Sequence, residues 1–185
     1  MTLDSFLHDA LHEISRGTKD RRHPYRFVIF NTITDDYPDT RMVVLRRFDR
    51  QELKLDIYTD YRSNKIQQLK ITPRASILLW HPSKKLQIKL MIDAQLVDGE
   101  EREKRYQELP VSGQHGYNTE ENPGSPKADL ESAHLWRTKY NSDFFSIIRG
   151  KIGKIEILQL QGKEHLRASY EFLGTEVTEQ HWLVP

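Results

Sequence analysis

The 185-residue chain has no cysteine. That excludes a disulfide framework, a thiolate metal centre, a cysteine nucleophile and an iron–sulfur cluster, and it suits a reducing cytoplasm. An excess of one charge is also missing. Lys and Arg number 28 against 27 Asp and Glu, a formal net charge of +1, so no global field draws in nucleic acid. Arg16 to Arg26 form a local basic cluster, which reads as a solvated loop. No stretch approaches the roughly eighteen consecutive apolar residues of a membrane span. The N-terminal MTLDSFLHDALHEISRG lacks the basic start, apolar core and cleavage site of a signal peptide. A soluble, unexported, cytoplasmic protein with neither membrane nor nucleic-acid partner is expected. GxGxxG, P-loop and GxSxG motifs are all missing, which removes support for Rossmann cofactor binding, Walker-type nucleotide hydrolysis and α/β-hydrolase chemistry.

What remains is 37% hydrophobic and 10% aromatic, enough for the core of one domain spanning residues 1–185. Leu3, Phe6, Leu7, Leu11 and Ile14 recur at helical spacing and Gly17 follows, so an amphipathic helix is expected over 3–16. Runs rich in β-branched and aromatic residues predict strands at 25–34, 41–48 and 53–59 in an antiparallel meander. Ser63 is placed to cap a short helix with Ile66 and Leu69 facing inward, ended by Pro73. Strands at 75–80 and 86–97 and a charge-paired helix over 99–109 follow. Residues 110–126 hold three glycines and three prolines, too long for a plain connection, so this segment is either disordered or functional. A helix over 127–140 and three or four strands broken at Gly150, Gly162 and Gly174 complete the chain. Many short strands with helices as inserts predict a closed or split β-barrel.

Anion-binding groups gather around one stretch. Arg41 and Arg46 bracket a strand, Thr59 ends the next, and Arg62, Ser63, Asn64 and Lys65 open a helix. A helix start offers unpaired N–H groups and a positive dipole end, and the hydroxyl and ammonium beside it suit a phosphate monoester. Taken alone, a capped surface helix with solvated basic residues fits equally well. His8 and His12, four apart on the first helix, could face one metal ion, but no third ligand has motif spacing and a wet helix face is the expectation.

Arg41-Met42-Val43-Val44-Leu45-Arg46, then Tyr58-Thr59-Asp60-Tyr61-Arg62-Ser63-Asn64-Lys65, then Gln87 in a long strand, resembles the pyridoxamine 5′-phosphate oxidase-like flavoproteins in order and spacing. Lys163-Glu164-His165-Leu166-Arg167 looks like the family's Arg-x-His-x-Arg stretch, and the terminal His181-Trp182-Leu183-Val184-Pro185 is similar to its closing strand. The resemblance implies an FMN-binding split barrel. Residues 41–46 would lie along the flavin ring and ribityl chain. Tyr58 and Thr59 with the turn Arg62, Ser63, Asn64 and Lys65 would hold the phosphate, and Gln87 and Arg167 would reach the flavin, with His165 as the catalytic proton carrier. It also implies a homodimer with FMN at the interface, completed by the neighbour's 114–125 loop. FMN is expected over FAD, because the helix start suits a terminal monophosphate and no dinucleotide fingerprint exists.

The substrate region departs from the family pattern. Arg105, Leu109 and Gly113 stand where pyridoxamine phosphate oxidases carry Tyr, Arg and Ser for the substrate phosphate. Arg46, Asn64 and Ile157 replace the usual Lys, Arg and Trp. A less characterised FMN-binding branch fits better. Two functions stay open: an FMN-dependent oxidoreductase acting on an unidentified small molecule, and a flavin-binding or redox-sensing module without turnover. Pyridoxamine 5′-phosphate oxidation ranks behind both, as does a barrel for haem or a deazaflavin.

Overall fold

The computed structural model describes residues 1–162 and 164–185. Helix α1 (Leu3–Lys19) opens with a reciprocal cap, Ser5 N donating to Thr2 Oγ1 at 3.1 Å and Thr2 N to Ser5 Oγ at 2.9 Å. The helix runs past Gly17, which does not stop it. A Cβ at Gly17 would lie 2.6 Å from Tyr25 Cβ, so glycine is needed there for close packing of the helix on the turn at Pro24–Arg26. The apolar stripe of Phe6, Leu7, Ala10, Leu11 and Ile14 is buried as its spacing implies.

Eight antiparallel strands follow: β1 (Phe27–Ile33), β2 (Pro38–Asp49), β3 (Lys54–Asp60), β4 (Arg74–His81), β5 (Leu86–Val97), β6 (Phe145–Gln159), β7 (Leu166–Leu173) and β8 (Glu176–Trp182). Helix α2 (Asn64–Ile71) joins β3 to β4. The segment between β5 and β6 carries α3 (Gly99–Gln107), α4 (Val111–His115) and α5 (Leu130–Ala133). The sheet order is β3-β2-β1-β4-β5-β6-β7-β8, and an extra β3–β6 pairing closes the first six strands into a barrel. Strand β6 makes this possible by length. Its first half pairs with β3, its second half with β7, and β5 runs along most of it.

The inward residues alternate along each strand: Val28 and Phe30, Leu55 and Ile57, Ile77 and Leu79, Ile88 and Leu90, Ile155 and Ile157 are fully buried or nearly so. Each contributes about 1.5–3 kcal/mol of burial. Strand β6 is not broken at Gly150 as the sequence suggested. A Cβ there would lie 2.5 Å from Ile92 Cδ1, so this glycine lets β5 approach closely within a continuous ladder. The break is a bulge at Gly153, between the pairs Ile92–Ile152 and Met91–Lys154.

The expected helix over 127–140 is reduced to the single turn α5. Leu130 and Leu135 stay exposed, so a longer helix would have no face to bury, and Thr119 draws Trp136 into an extended bridge instead. The 110–126 segment is ordered around fully buried Asn118, whose Nδ2 donates to Tyr106 Oη and to the Gln114 carbonyl, both at 2.9 Å. Its Oδ1 accepts the Asn141 N–H at 3.1 Å. Tyr106, Tyr117, Phe145 and Ile147 form a second core beneath this insert. Arg149 docks α3 by reaching Asp56 at 2.8 and 2.9 Å and Glu101 at 2.7 and 3.1 Å.

Candidate functional site

Strand pairing sorts the 41–46 segment onto two sides of the barrel wall. Arg41 and Val43 are registered with Phe30 and Val28, which face inward, and Leu45 with buried Ile57. Met42 and Val44 are registered with Ile29 and Phe27 on the outside. Arg46 sits at an irregularity between the Leu45 and Arg47 pairs.

Inside the barrel mouth, the Arg41 guanidinium donates to Thr32 Oγ1 at 2.5 Å and Gln68 Oε1 at 3.3 Å, and pairs with Asp39. Gln68 in turn donates to Asp39 Oδ2 at 2.8 Å. Thr32, Asp39 and Gln68 thus orient Arg41. None of them was singled out by sequence, because the contact joins β1, β2 and α2 across the fold.

Thr59, Ser63 and Lys65 gather at the start of α2, the helix whose Gln68 accepts from Arg41. Lys65 Nζ donates to Thr59 Oγ1 at 3.0 Å, and Thr59 Oγ1 lies 3.3 Å from Ser63 Oγ. Ser63 occupies the cap position, yet its hydroxyl donates to the Asp60 carbonyl at 2.7 Å. The helix-opening amides of Asn64 and Lys65 therefore lack a side-chain acceptor among the described residues. Burial, and then the neighbouring Arg41 charge, hold the Lys65 ammonium below the usual lysine range. Its hydrogen-bond acceptor is a neutral hydroxyl. A cation so placed, beside a second cation and a free helix start, fits a phosphate dianion, which would raise the Lys65 pKa back toward the usual lysine range.

Arg62 does not join this cradle. Its Nε and Nη2 take Asp60 at 3.0 and 2.7 Å, its Nη1 donates to the Glu120 carbonyl at 3.1 Å, and Nη2 also reaches the Thr119 carbonyl and hydroxyl at 3.0 Å. Asn64 is exposed at the first position of α2.

Outside, Gln87 is registered with Trp80 and Leu158, and Leu158 with Arg167. Cross-strand partners share a face, so Gln87 and Arg167 lie on the outer face that also carries Met42, Val44, Phe27 and Trp80. Phe27 is 56%, Met42 66% and Trp80 44% exposed, which makes this an open apolar surface. Arg167 is paired with Glu156 at 2.7 Å. His165 is exposed just before β7, its Nδ1 accepting the Gln161 N–H at 3.3 Å. Lys163 lies outside the described residues.

Arg46 stands over the Tyr58 ring at 5.6 Å. Its Nε is buried with no hydrogen-bond partner, and it has no carboxylate partner among the described residues. Arg105, at the position where the family's substrate tyrosine was expected, is neutralised by Glu108 at 2.9 Å and Glu101 at 3.9 Å.

A third cluster lies away from this site. Glu13, His23 and His81 bring their ligating atoms within 4.8 Å. Metal chemistry does not fit them. His23 Nδ1 accepts the Tyr25 N–H at 3.1 Å and His81 Nδ1 the Lys84 N–H at 3.3 Å, so each neutral ring carries its proton on the Nε2 that faces Glu13. Lys84 and Arg16 hold the other carboxylate oxygen at 2.5 and 3.1 Å. This is a satisfied buried carboxylate. His8 and His12 face solvent, and His8 Nδ1 accepts a guanidinium bond from Arg50 at 2.7 Å, as suits a wet helix face.

The six-stranded antiparallel barrel, with basic and hydroxyl groups gathered at the start of α2, defines a split-barrel protein. The family described as pyridoxamine 5′-phosphate oxidase, FMN-binding domain, matches residues 5–98, more than half of the chain. The chain belongs to that family, and its cofactor is FMN. Among solved structures it is similar to a pyridoxamine 5′-phosphate oxidase-related FMN-binding protein from Nostoc punctiforme PCC 73102, with TM-score 0.79, 20% identity and 100% of both chains covered. It is similar to PhzG from Burkholderia lata 383, solved with tetrahydrophenazine-1-carboxylic acid, with TM-score 0.73, 20% identity, and 99% of this chain and 90% of that chain covered. General stress protein 26 from Bacillus anthracis str. Sterne is more distant, at TM-score 0.52 and 15% identity over 82% of this chain and 98% of that one. Comparison with curated proteins finds no match. Among the described residues, no helix is long and apolar enough to cross a membrane.

Proposed function

We propose that the protein is an FMN-dependent oxidoreductase that works as a homodimer on a small molecule without a phosphate handle. The observation that carries this reading is the open outer face. Met42, Val44, Gln87 and Arg167 share it with exposed Phe27 and Trp80, and an apolar surface of this kind beside a cofactor site calls for cover. A second copy of the chain supplies that cover symmetrically. Arg41, Thr59, Ser63 and Lys65 would hold the FMN phosphate, and Met42 and Val44 would line its apolar part. Bound FMN supplies hydride or electron transfer. Gln87 would hydrogen-bond the cofactor, and His165, exposed and with its neutral-form proton on Nε2, would pass a proton between substrate and solvent. Arg46, whose buried Nε has no hydrogen-bond partner, would offer that donor to an anionic or carbonyl group.

The same geometry speaks against pyridoxamine 5′-phosphate as substrate. The Arg105 charge is already spent on Glu108 and Glu101, and neither Leu109 nor Gly113 offers a side-chain donor. The test is anaerobic bleaching of the FMN-loaded protein by a panel of reduced small molecules, followed by reoxidation in air, with pyridoxamine 5′-phosphate as comparison. Bleaching by at least one unphosphorylated donor, with slow turnover of pyridoxamine 5′-phosphate, is expected. A flavin that no donor bleaches would establish the non-catalytic flavin-binding role instead.

A further inference from the structure

Arg62 lies between Thr59 and Ser63 in sequence, yet the structure gives it a different task from theirs. Its guanidinium takes both oxygens of Asp60, a carboxylate that is only 4% exposed, and its own backbone N–H adds a third bond to Asp60 Oδ1 at 2.8 Å. The other edge of the same guanidinium reaches across 57 and 58 residues to the Thr119 and Glu120 carbonyls. Its carbon lies 3.5 Å from the centroid of the Phe144 ring, and Arg137 lies over that ring at 4.7 Å. The backbone adds to the joint, with Tyr61 N donating to the Phe144 carbonyl at 2.7 Å and Arg137 N to the Asn118 carbonyl at 2.9 Å. One planar group therefore fastens the 60–63 turn to the 117–137 segment and to the start of β6. A planar guanidinium can bridge a carboxylate and two carbonyls at once, which an ammonium cannot.

We infer that Arg62 is a positioning residue that couples occupancy of the phosphate turn to the order of the 117–137 segment. This rests on the assignment of the 59–65 turn to the FMN phosphate. Ser63 and Lys65 leave the same turn that Arg62 anchors, and Ser63 Oγ is held by the carbonyl of the Asp60 that Arg62 clamps. A ligand that stabilises the turn must then stabilise whatever opens with it, by a factor set by its saturation. Riboflavin, which has no phosphate, engages the ring contacts but not the turn.

Hydrogen exchange of the full-length protein tests the coupling. The informative amides are those of Tyr117, Asn118, Glu120 and Arg137, all bonded within the insert. At free FMN about a hundred times its Kd, their exchange is expected to slow by up to about a hundredfold, with little slowing at equal saturation by riboflavin. Arg62→Lys keeps the charge beside Asp60 but loses the bridge, and the FMN-dependent slowing should vanish at matched saturation. The wild-type comparison needs no variant. If FMN binds and these amides exchange as in the free protein, or if riboflavin protects them equally, the coupling is refuted. Full FMN-dependent protection in a folded Arg62→Lys protein refutes the role of Arg62. If wild-type protein fails to bind FMN, the phosphate-site assignment itself falls, a result that binding reports before any exchange is measured.

Discussion

Lys65→Met is expected to weaken FMN binding while leaving the apoprotein as stable as before, or more so. Lys65 Nζ has only a neutral hydroxyl to donate to, at 3.0 Å, and it is desolvated near the Arg41 charge. Its charged form is therefore disfavoured in the empty protein, and methionine keeps the apolar stem while removing that cost. Because the folded-state pKa lies below the unfolded 10.5, wild type is at its greatest disadvantage below that lowered pKa, where Lys65 is charged in both states. The gap to Lys65→Met should close as pH climbs through the lowered pKa toward 10.5. With phosphate present the balance reverses. A charge-assisted hydrogen bond to a buried anion contributes about 1.5–3 kcal/mol, so FMN affinity should fall about ten- to hundredfold in the variant. Titration followed by flavin fluorescence, alongside thermal melting of the apoprotein, measures both effects. Riboflavin is the control, and its affinity should barely change. Equal weakening of FMN and riboflavin, or unchanged FMN affinity, would refute the placement of the phosphate beside Lys65.

Burial opposes ionisation of Glu13, but bonds from Lys84, Arg16 and His23 outweigh it and hold the carboxyl at about 2 against an ordinary 4.5. Glu13→Gln should cost about 3 kcal/mol near neutral pH. This contribution is complete above pH 4.5 and lost as pH falls toward 2, so the melting curves of wild type and variant should converge there; a constant gap would contradict it. Gly17→Ala, which in an isolated helix would gain about 1 kcal/mol, should instead destabilise by about 1–3 kcal/mol, because the new methyl meets Tyr25 Cβ at 2.6 Å; a raised melting temperature would show that the helix can shift. Met42→Asp on the open face should yield a folded monomer with weakened FMN binding, since Met42 is 66% exposed and supports no core; a dimer by light scattering would place the interface elsewhere.

The barrel itself could be read from residue pattern. Alternation along Leu53–Thr59 and Leu86–Val97 and the helical stripe of Leu3 to Ile14 are local signals, and each element formed close to where its period placed it. The insert could not be read this way. A helix over 127–140 was a matter of composition, and the fold instead spent that chain on bonds to Asn118 and Thr119, whose partners lie far along the sequence. Glycines show the same division. Gly174 does lie in the turn between β7 and β8, whereas Gly17 and Gly150 are required by Tyr25 and Ile92, contacts that exist only once the chain has folded. At the site, sequence brought Arg41, Thr59, Ser63 and Lys65 into one hypothesis through motif order. Tertiary structure decided that alternate residues of the 41–46 strand serve opposite faces, that Arg62 clamps Asp60 and the insert, and that Gln68 and Thr32 aim Arg41. A guanidinium's charge is legible in one letter of sequence, but which of several acceptors it meets is set by distances between strands, and those are fixed by the closure of the barrel through β3 and β6.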